Sequence, residues 1–134
     1  MRRARPAALL LLLVVVAACQ KRPTVATARE LLAAPERYDG ERVVLAGLVQ
    51  NPRKRMPAEG PDYTSFTLVD GTDRVPVIAW GTVPVESGDV VEVRGVFHSQ
   101  RVVGGDALRD TVEAAFVRPF RKAPQPPGTP AGPP

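Results

Sequence analysis

Five stretches of this chain alternate apolar and other residues at every second position, and that period of two is what most limits the folds open to it. From Glu41 to Gln50 both phases are apolar, with Val43, Leu45, Gly47 and Val49 on one and Val44, Ala46 and Leu48 on the other. A strand apolar on both faces suits a long, bent first strand that serves two sheets, and Gly47 is where it can coil tightly. Tyr63 to Val69 sets Phe66 and Leu68 against Ser65 and Thr67, and Asp70-Gly71-Thr72-Asp73 then makes a hairpin turn. Arg74 to Trp80 puts Val75, Val77 and Ala79 on one face and Pro76, Ile78 and Trp80 on the other. Pro76 lacks an N–H and marks an edge or a bulge. Asp89 to His98 turns Val91, Val93, Gly95 and Phe97 inward, and Thr111 to Arg118 does so with Val112, Ala114 and Phe116. The fold expected is all-β, a closed five-stranded Greek-key barrel rather than a sandwich.

One short helix precedes the strands. Thr27-Ala28-Arg29-Glu30 fits a capping box, in which the threonine oxygen accepts from a first-turn N–H and the glutamate reaches back to the cap. Leu31 and Leu32 give the helix an apolar side. Pro35 cannot donate to a continuing helix, which should end near Ala34 with room for one more turn through Tyr38. Asp39-Gly40 leads into the first strand.

The N-terminus answers to a different requirement. Arg2, Arg3 and Arg5 precede an uncharged apolar run from Ala7 to Ala18, which is the plan of an export signal. At about 1.5 Å per residue this run reaches about 18 Å, short of the roughly 30 Å core of a bilayer, so a permanent span is disfavoured. Val16-Ala17-Ala18-Cys19 resembles the lipobox of bacterial lipoproteins, where small residues precede a cysteine that is acylated and becomes the new N-terminus. Cys19 is the single cysteine of the chain and has no intramolecular disulfide partner. The resemblance implies a Cys19 carrying several acyl chains, palmitate among them, and hence stable attachment to a membrane. Gln20 stands where an aspartate would resemble an inner-membrane retention signal, which points to the periplasmic face of the outer membrane rather than to the inner membrane.

Export also changes the charge balance. The chain has 18 Lys and Arg against 14 Asp and Glu, a net charge of +4. Three of those arginines leave with the leader, so 15 cations face 14 anions and the mature chain is nearly neutral. The basic face usual in nucleic-acid binders therefore has no support from the overall charge. The expected organisation is a leader over 1–18, a lipidated anchor and tether over 19–23, one barrel domain over 24–122 and a tail over 123–134. That tail, APQPPGTPAGPP, has too few apolar side chains to pack and favours extended conformers.

LLAAPERYDGERVVLAGLV, then FTLVDGTDRVPV, then SGDVVEVRGVF resemble the small OB-fold domains of bacterial envelope proteins, grouped with the anticodon-binding-like OB domains. The likeness rests on Leu31, Pro35, Tyr38, Gly40, Gly47, Gly71, Gly88 and Gly95, which build a fold and do not name a ligand. It implies an OB-type barrel that binds across the face of its second and third strands, helped by the loops joining strands one to two and four to five.

The first of those loops is read as Asn51-Pro52-Arg53-Lys54-Arg55-Met56, and the second holds Arg101, Gly104, Gly105 and Arg109. Arg53, Lys54, Arg55, Arg101 and Arg109 would then form one basic rim, or else stand as solvated cations. Tyr63, Ile78 and Trp80 are the remaining candidate ligand contacts. Tyr63 and Trp80 are the outward aromatics available to stack on a base, although Trp80 beside Gly81 is also placed to cover the barrel end. Phe66, Phe97 and Phe116 fall on the inward phase, and Tyr38 packs beneath the barrel.

A metal or a catalytic relay finds little material. His98 is the only histidine, and no ligand spacing stands out. Asp70 and Asp73 bracket a tight turn, where aspartate serves the backbone. The membrane-anchored haem chaperones of cytochrome maturation share the barrel, but their attachment histidine and tyrosine have no counterpart after Phe116. The expectation is a non-catalytic binding or assembly module without cofactor or metal. Its partners would be the membrane, through lipid on Cys19, and an envelope protein or glycan. The alternative is a binder of an anionic ligand, glycan or single-stranded nucleic acid, with nucleic acid the less favoured after export. An enzyme is the weakest reading.

Overall fold

The computed structural model describes residues 21–120. The expected leader, the acylated Cys19 and the proline-rich tail from 123 lie outside the described residues. A two-residue strand, β1 (Thr24–Val25), leads to helices α1 (Ala28–Ala33) and α2 (Pro35–Tyr38). Five long strands follow: β2 (Arg42–Arg55), β3 (Tyr63–Asp70), β4 (Asp73–Trp80), β5 (Val90–Val103) and β6 (Asp106–Pro119).

The capping box forms as expected. The Glu30 amide donates to Thr27 Oγ1 at 3.2 Å, and the Thr27 amide donates to Glu30 Oε2 at 2.8 Å. Pro35 splits the helical segment in two. Its ring disfavours helical geometry at the preceding residue, so Ala34 leaves the helix at φ −144° and Pro35 opens α2 at its first position. Leu31 is fully buried against the barrel core and Tyr38 packs at its margin, so the helices close one end of the barrel.

The strands form a ring in the order β2-β3-β4-β6-β5, closed by antiparallel pairing of β2 with β5. Within the ring all neighbours are antiparallel except β4 and β6, which run parallel, and outside it β1 pairs parallel with β2. Closure removes the sheet edges that would otherwise invite aggregation. Val43, Leu45 and Val49 meet Phe66, Leu68, Val77, Val93, Phe97 and Val112 in one core, on the phases the alternation assigned to it.

Three strands are longer than the alternation suggests. β5 and β6 continue past the expected ends and join through Gly104-Gly105, whose φ values of 56° and 87° give the two-residue turn whose twist suits a hairpin. What read as a loop is thus the tip of a long arm. β2 also runs on to Arg55 through a bulge between Gln50 and Arg53, with Asn51 at φ 50°. Pro52 is accommodated there because a bulge leaves a residue out of the ladder.

The two conformationally constrained glycines of the ring sit where strands cross closely. A Cβ on Gly47 would lie 2.5 Å from the Val69 carbonyl oxygen, and one on Gly95 would overlap the Glu113 carbonyl. Beside Gly95, β6 carries a bulge: Arg94 faces Phe116 while Gly95 faces Ala114, so Ala115 is the extra residue. The bulge reverses the phase beyond it. Phe116, expected inward, instead stands outside with 70% of its surface exposed.

Candidate functional site

The outer face of β3 and β4 presents Ser65 and Thr67 beside Pro76 and Ile78, which pair across the ladder. This face floors a cleft of about 610 Å³. One wall comes from the end of β2, where Asn51, Arg53 and Arg55 stand, and the other from Asp106, Ala107 and Leu108 at the start of β6. The β2 bulge decides which cations enter. Its extra residue puts Arg53 opposite Ser65 and Arg55 opposite Tyr63, on the outer face, and sends Lys54 to the other face opposite Thr64. Arg55 Nε donates to Ser65 Oγ at 3.3 Å, which orients one guanidinium over the floor.

The second wall exists because the β5–β6 arm folds back over the sheet. Val103 and Leu108 from the arm cover Tyr63 and Ile78 in a small apolar cluster separate from the main core. Tyr63 is therefore only 4% exposed, against the expectation of an open stacking surface. It meets Trp80 edge to face, with ring centroids 6.0 Å apart. Where the arm ends, Gly104 comes against Pro57 of the β2–β3 loop; a Cβ on Gly104 would lie 2.8 Å from the Pro57 Cβ. The two loops expected to border the site do meet, through these residues.

The expected basic rim does not assemble. Glu113 takes Arg101 Nη1 at 2.8 Å and His98 Nε2 at 3.1 Å on one carboxylate oxygen. Its other oxygen accepts from Trp80 Nε1 at 3.0 Å. Arg101 is thus neutralised beside the cleft, and its Nε is buried without a partner among the described residues. Trp80 is tied down by its indole N–H although its ring stays partly exposed. Arg109 is exposed on the arm, paired with Gln100, and does not line the cleft.

Of the candidate contacts, Arg53, Arg55, Tyr63 and Ile78 line the cleft, while Lys54, Trp80, Arg101 and Arg109 do not. Sequence reasoning passed over Asn51, Ser65, Thr67, Pro76, Asp106 and Leu108, which also line it. Ser65 and Thr67 were legible as the polar phase of β3. Asn51 carried a weaker signal, since asparagine tolerates positive φ and so suits a bulge. The cleft holds two guanidinium groups, one carboxylate and a hydroxyl-bearing floor. Such a lining can hydrogen-bond an extended polar chain and ion-pair an acidic group on it. Among the described residues, no group of three His, Cys, Asp or Glu is disposed to hold a metal.

No protein-family model matches the chain, and no curated protein matches it in sequence. Solved structures do. A chain in the crystal structure of yeast Stn1 and Ten1 is similar over 77% of this chain and 65% of its own, with 12% identity and a TM-score of 0.60. A Leishmania major protein assigned as an aspartyl-tRNA synthetase is similar over 78% of this chain and 22% of its own, with 16% identity and a TM-score of 0.53. The ring order with its single parallel pair decides the architecture. The barrel is an OB fold. At these identities the likeness extends to the fold alone. In this OB barrel the cleft occupies the outer face of the second and third ring strands, between the first hairpin's loop and the last hairpin's arm.

Proposed function

We propose that this chain is a lipid-anchored, non-catalytic binding module of the bacterial cell envelope, whose OB cleft takes an extended polar segment of an envelope protein or glycan. The observation that carries the reading is the cleft: a preformed polar groove on the OB binding face, with Arg53 and Arg55 on one wall and Ser65 and Thr67 on its floor. Delivery rests on the leader, on Val16-Ala17-Ala18-Cys19 and on the absence of any second cysteine. Gln20 favours the periplasmic face of the outer membrane.

The lining suits binding better than catalysis. Asp106 is its one carboxylate, so the paired acid and base of a hydrolytic site are missing from it. It also suits a glycan or peptide better than single-stranded nucleic acid, because Tyr63 is covered and Trp80 is held by Glu113. Base stacking, about 1–3 kcal/mol per base in single-strand binders, then finds no free aromatic face in the cleft among the described residues. A ligand with acidic groups remains a second reading, favoured by Arg53 and Arg55.

Two measurements test the proposal. A photo-crosslinking residue placed at Pro76 in living cells is expected to trap a discrete envelope adduct, and the same residue at Arg109 is not. Equal yields at both positions, or none at Pro76, would remove the cleft as the binding site. Separately, Cys19→Ala is expected to lose acyl labelling and to leave the detergent phase; a variant as membrane-bound as the parent would end the anchor assignment.

A further inference from the structure

The cleft accounts for one side of the barrel. On the side built by the first half of β2 with β5 and β6, apolar side chains point outward without a partner among the described residues. Register sets them in rows: Val44, Arg94 and Phe116 lie side by side, as do Ala46, Glu92 and Arg118. Beyond these, Leu48 pairs with Val90, whose carbonyl accepts from the Phe120 amide at 3.0 Å. Phe116 is 70% exposed, Phe120 51% and Val90 50%, and with Val44, Ala46 and Leu48 they make an apolar face crossed by the charged side chains of Glu92, Arg94 and Arg118.

Three features say what covers it. Pro23 lines shallow grooves on this face together with Phe116 and Arg94, and together with Val25 and Val44. Pro23 follows Cys19 by four Cα steps, which at about 3.5 Å each reach at most about 14 Å. An acyl anchor on Cys19 is therefore tethered within that reach of Pro23 and the strip. Second, cations border it: Arg42, Arg94 and Arg118 stand among the apolar rows, with Glu92 paired to Arg94 at 2.7 Å and to Arg118 at 3.5 Å. The surplus is positive, as an anionic headgroup layer requires. Third, in the ring order β5 lies across the barrel from β3 and β4, so a lipid-facing strip here leaves the cleft turned away from the bilayer.

We infer that the outer face of β2, β5 and β6 is a membrane-docking surface that lays Phe116 and Phe120 into the lipid interface. This rests on the acylated-Cys19 reading given above. The anchor supplies attachment and the face supplies orientation. One lipidated terminus alone would let the domain tumble, whereas a second contact fixes the cleft toward the periplasm.

Trp80, the single tryptophan, stands on β4 beside β6 with its indole held by Glu113, so the test removes it: in a Trp80→Phe background one tryptophan replaces Phe116, Phe120 or, as the control in the cleft, Pro76. The full-length lipidated chain, purified from bacterial membranes, is reconstituted into vesicles of phosphatidylethanolamine and phosphatidylglycerol with or without brominated acyl chains. Brominated lipid is expected to leave the emission of Pro76→Trp nearly unchanged and to quench that of Phe116→Trp, or of Phe120→Trp, at least twofold. Quenching of Pro76→Trp equal to that of the other two variants overturns the orientation, as does no quenching of any of them while Cys19 carries its acyl mass. Protection of the added tryptophan that grows with protein concentration in lipid-free detergent assigns the strip to a second copy and also overturns it. A parent without acyl mass on Cys19 brings down the anchor itself and the orientation with it.

Discussion

Glu113 divides two carboxylate oxygens among Trp80, His98 and Arg101, side chains drawn from the strands on either side of β6. Glu113, His98 and Arg101 are partly shielded from water, so their pairings are worth more than exposed ion pairs. Glu113→Ala should cost about 1–3 kcal/mol, because Arg101 and the indole N–H lose their acceptor at a half-buried site. A fall in the urea midpoint with an unchanged slope, together with altered Trp80 emission, is the expected result. At the exposed end of the barrel, Asp39 accepts from the Ser99 amide at 2.8 Å, and that hydrogen bond holds its carboxyl below the ordinary 3.8. A carboxyl depressed in the folded state adds stability above its unfolded value and loses it as pH falls through the folded one. Asp39→Asn should therefore flatten the acid side of a melting-temperature profile below about pH 4 and reduce stability at neutral pH. Glu92, lowered chiefly by its hydrogen bond from Arg94, titrates in the same sense and leaves part of the acid dependence in place.

At the scale of strands and turns, what sequence reveals depends on whether the feature has a chemical signature. Alternation located all five ring strands, and the capping box located the helix, because burial and capping each demand particular residue types at particular spacings. Bulges demand much less. Ala115 looks like any other strand residue, yet as the extra residue of β6 it turns Phe116 out of the core. Gly104-Gly105 gave the opposite difficulty, since two glycines signal an open loop and a tight hairpin equally well; pairing of Val103 with Asp106 across them shows the hairpin. Gly95 read only as a fold-building glycine on the inward phase; the structure shows it at a close crossing, whose cost can be measured. Gly95→Ala puts a methyl against the Glu113 carbonyl, a backbone atom that cannot swing away, and should destabilise by about 2–3 kcal/mol. Gly105→Asn, with open space around it and a φ that asparagine tolerates, should cost under about 1 kcal/mol. Similar midpoints for the two variants in urea would contradict this account of the crossing.

For the molecule as a whole, the site emerges from contacts between parts distant in sequence, which is why a list of cations along the chain overstated it. Arg53, Lys54 and Arg55 are consecutive, yet one bulge sorts them to two faces of β2. Arg101 has the right charge and the right neighbourhood, and Glu113 cancels it from the next strand. The β5–β6 arm covers Tyr63 and supplies Asp106 to the cleft, a consequence of curvature that periodicity does not encode. Binding should follow that sorting. If the cleft engages acidic groups, Arg53→Ala combined with Arg55→Ala should weaken binding of an anionic polysaccharide such as alginate at least tenfold in low salt, while Lys54→Ala changes it less than twofold. The parent's affinity should fall with rising salt, and more steeply than that of the double variant, since each lost phosphate-like or carboxylate contact removes part of the ionic dependence. Equal effects from Lys54 and the two arginines would mean that diffuse charge on the end of β2, and not the groove the bulge creates, attracts the ligand.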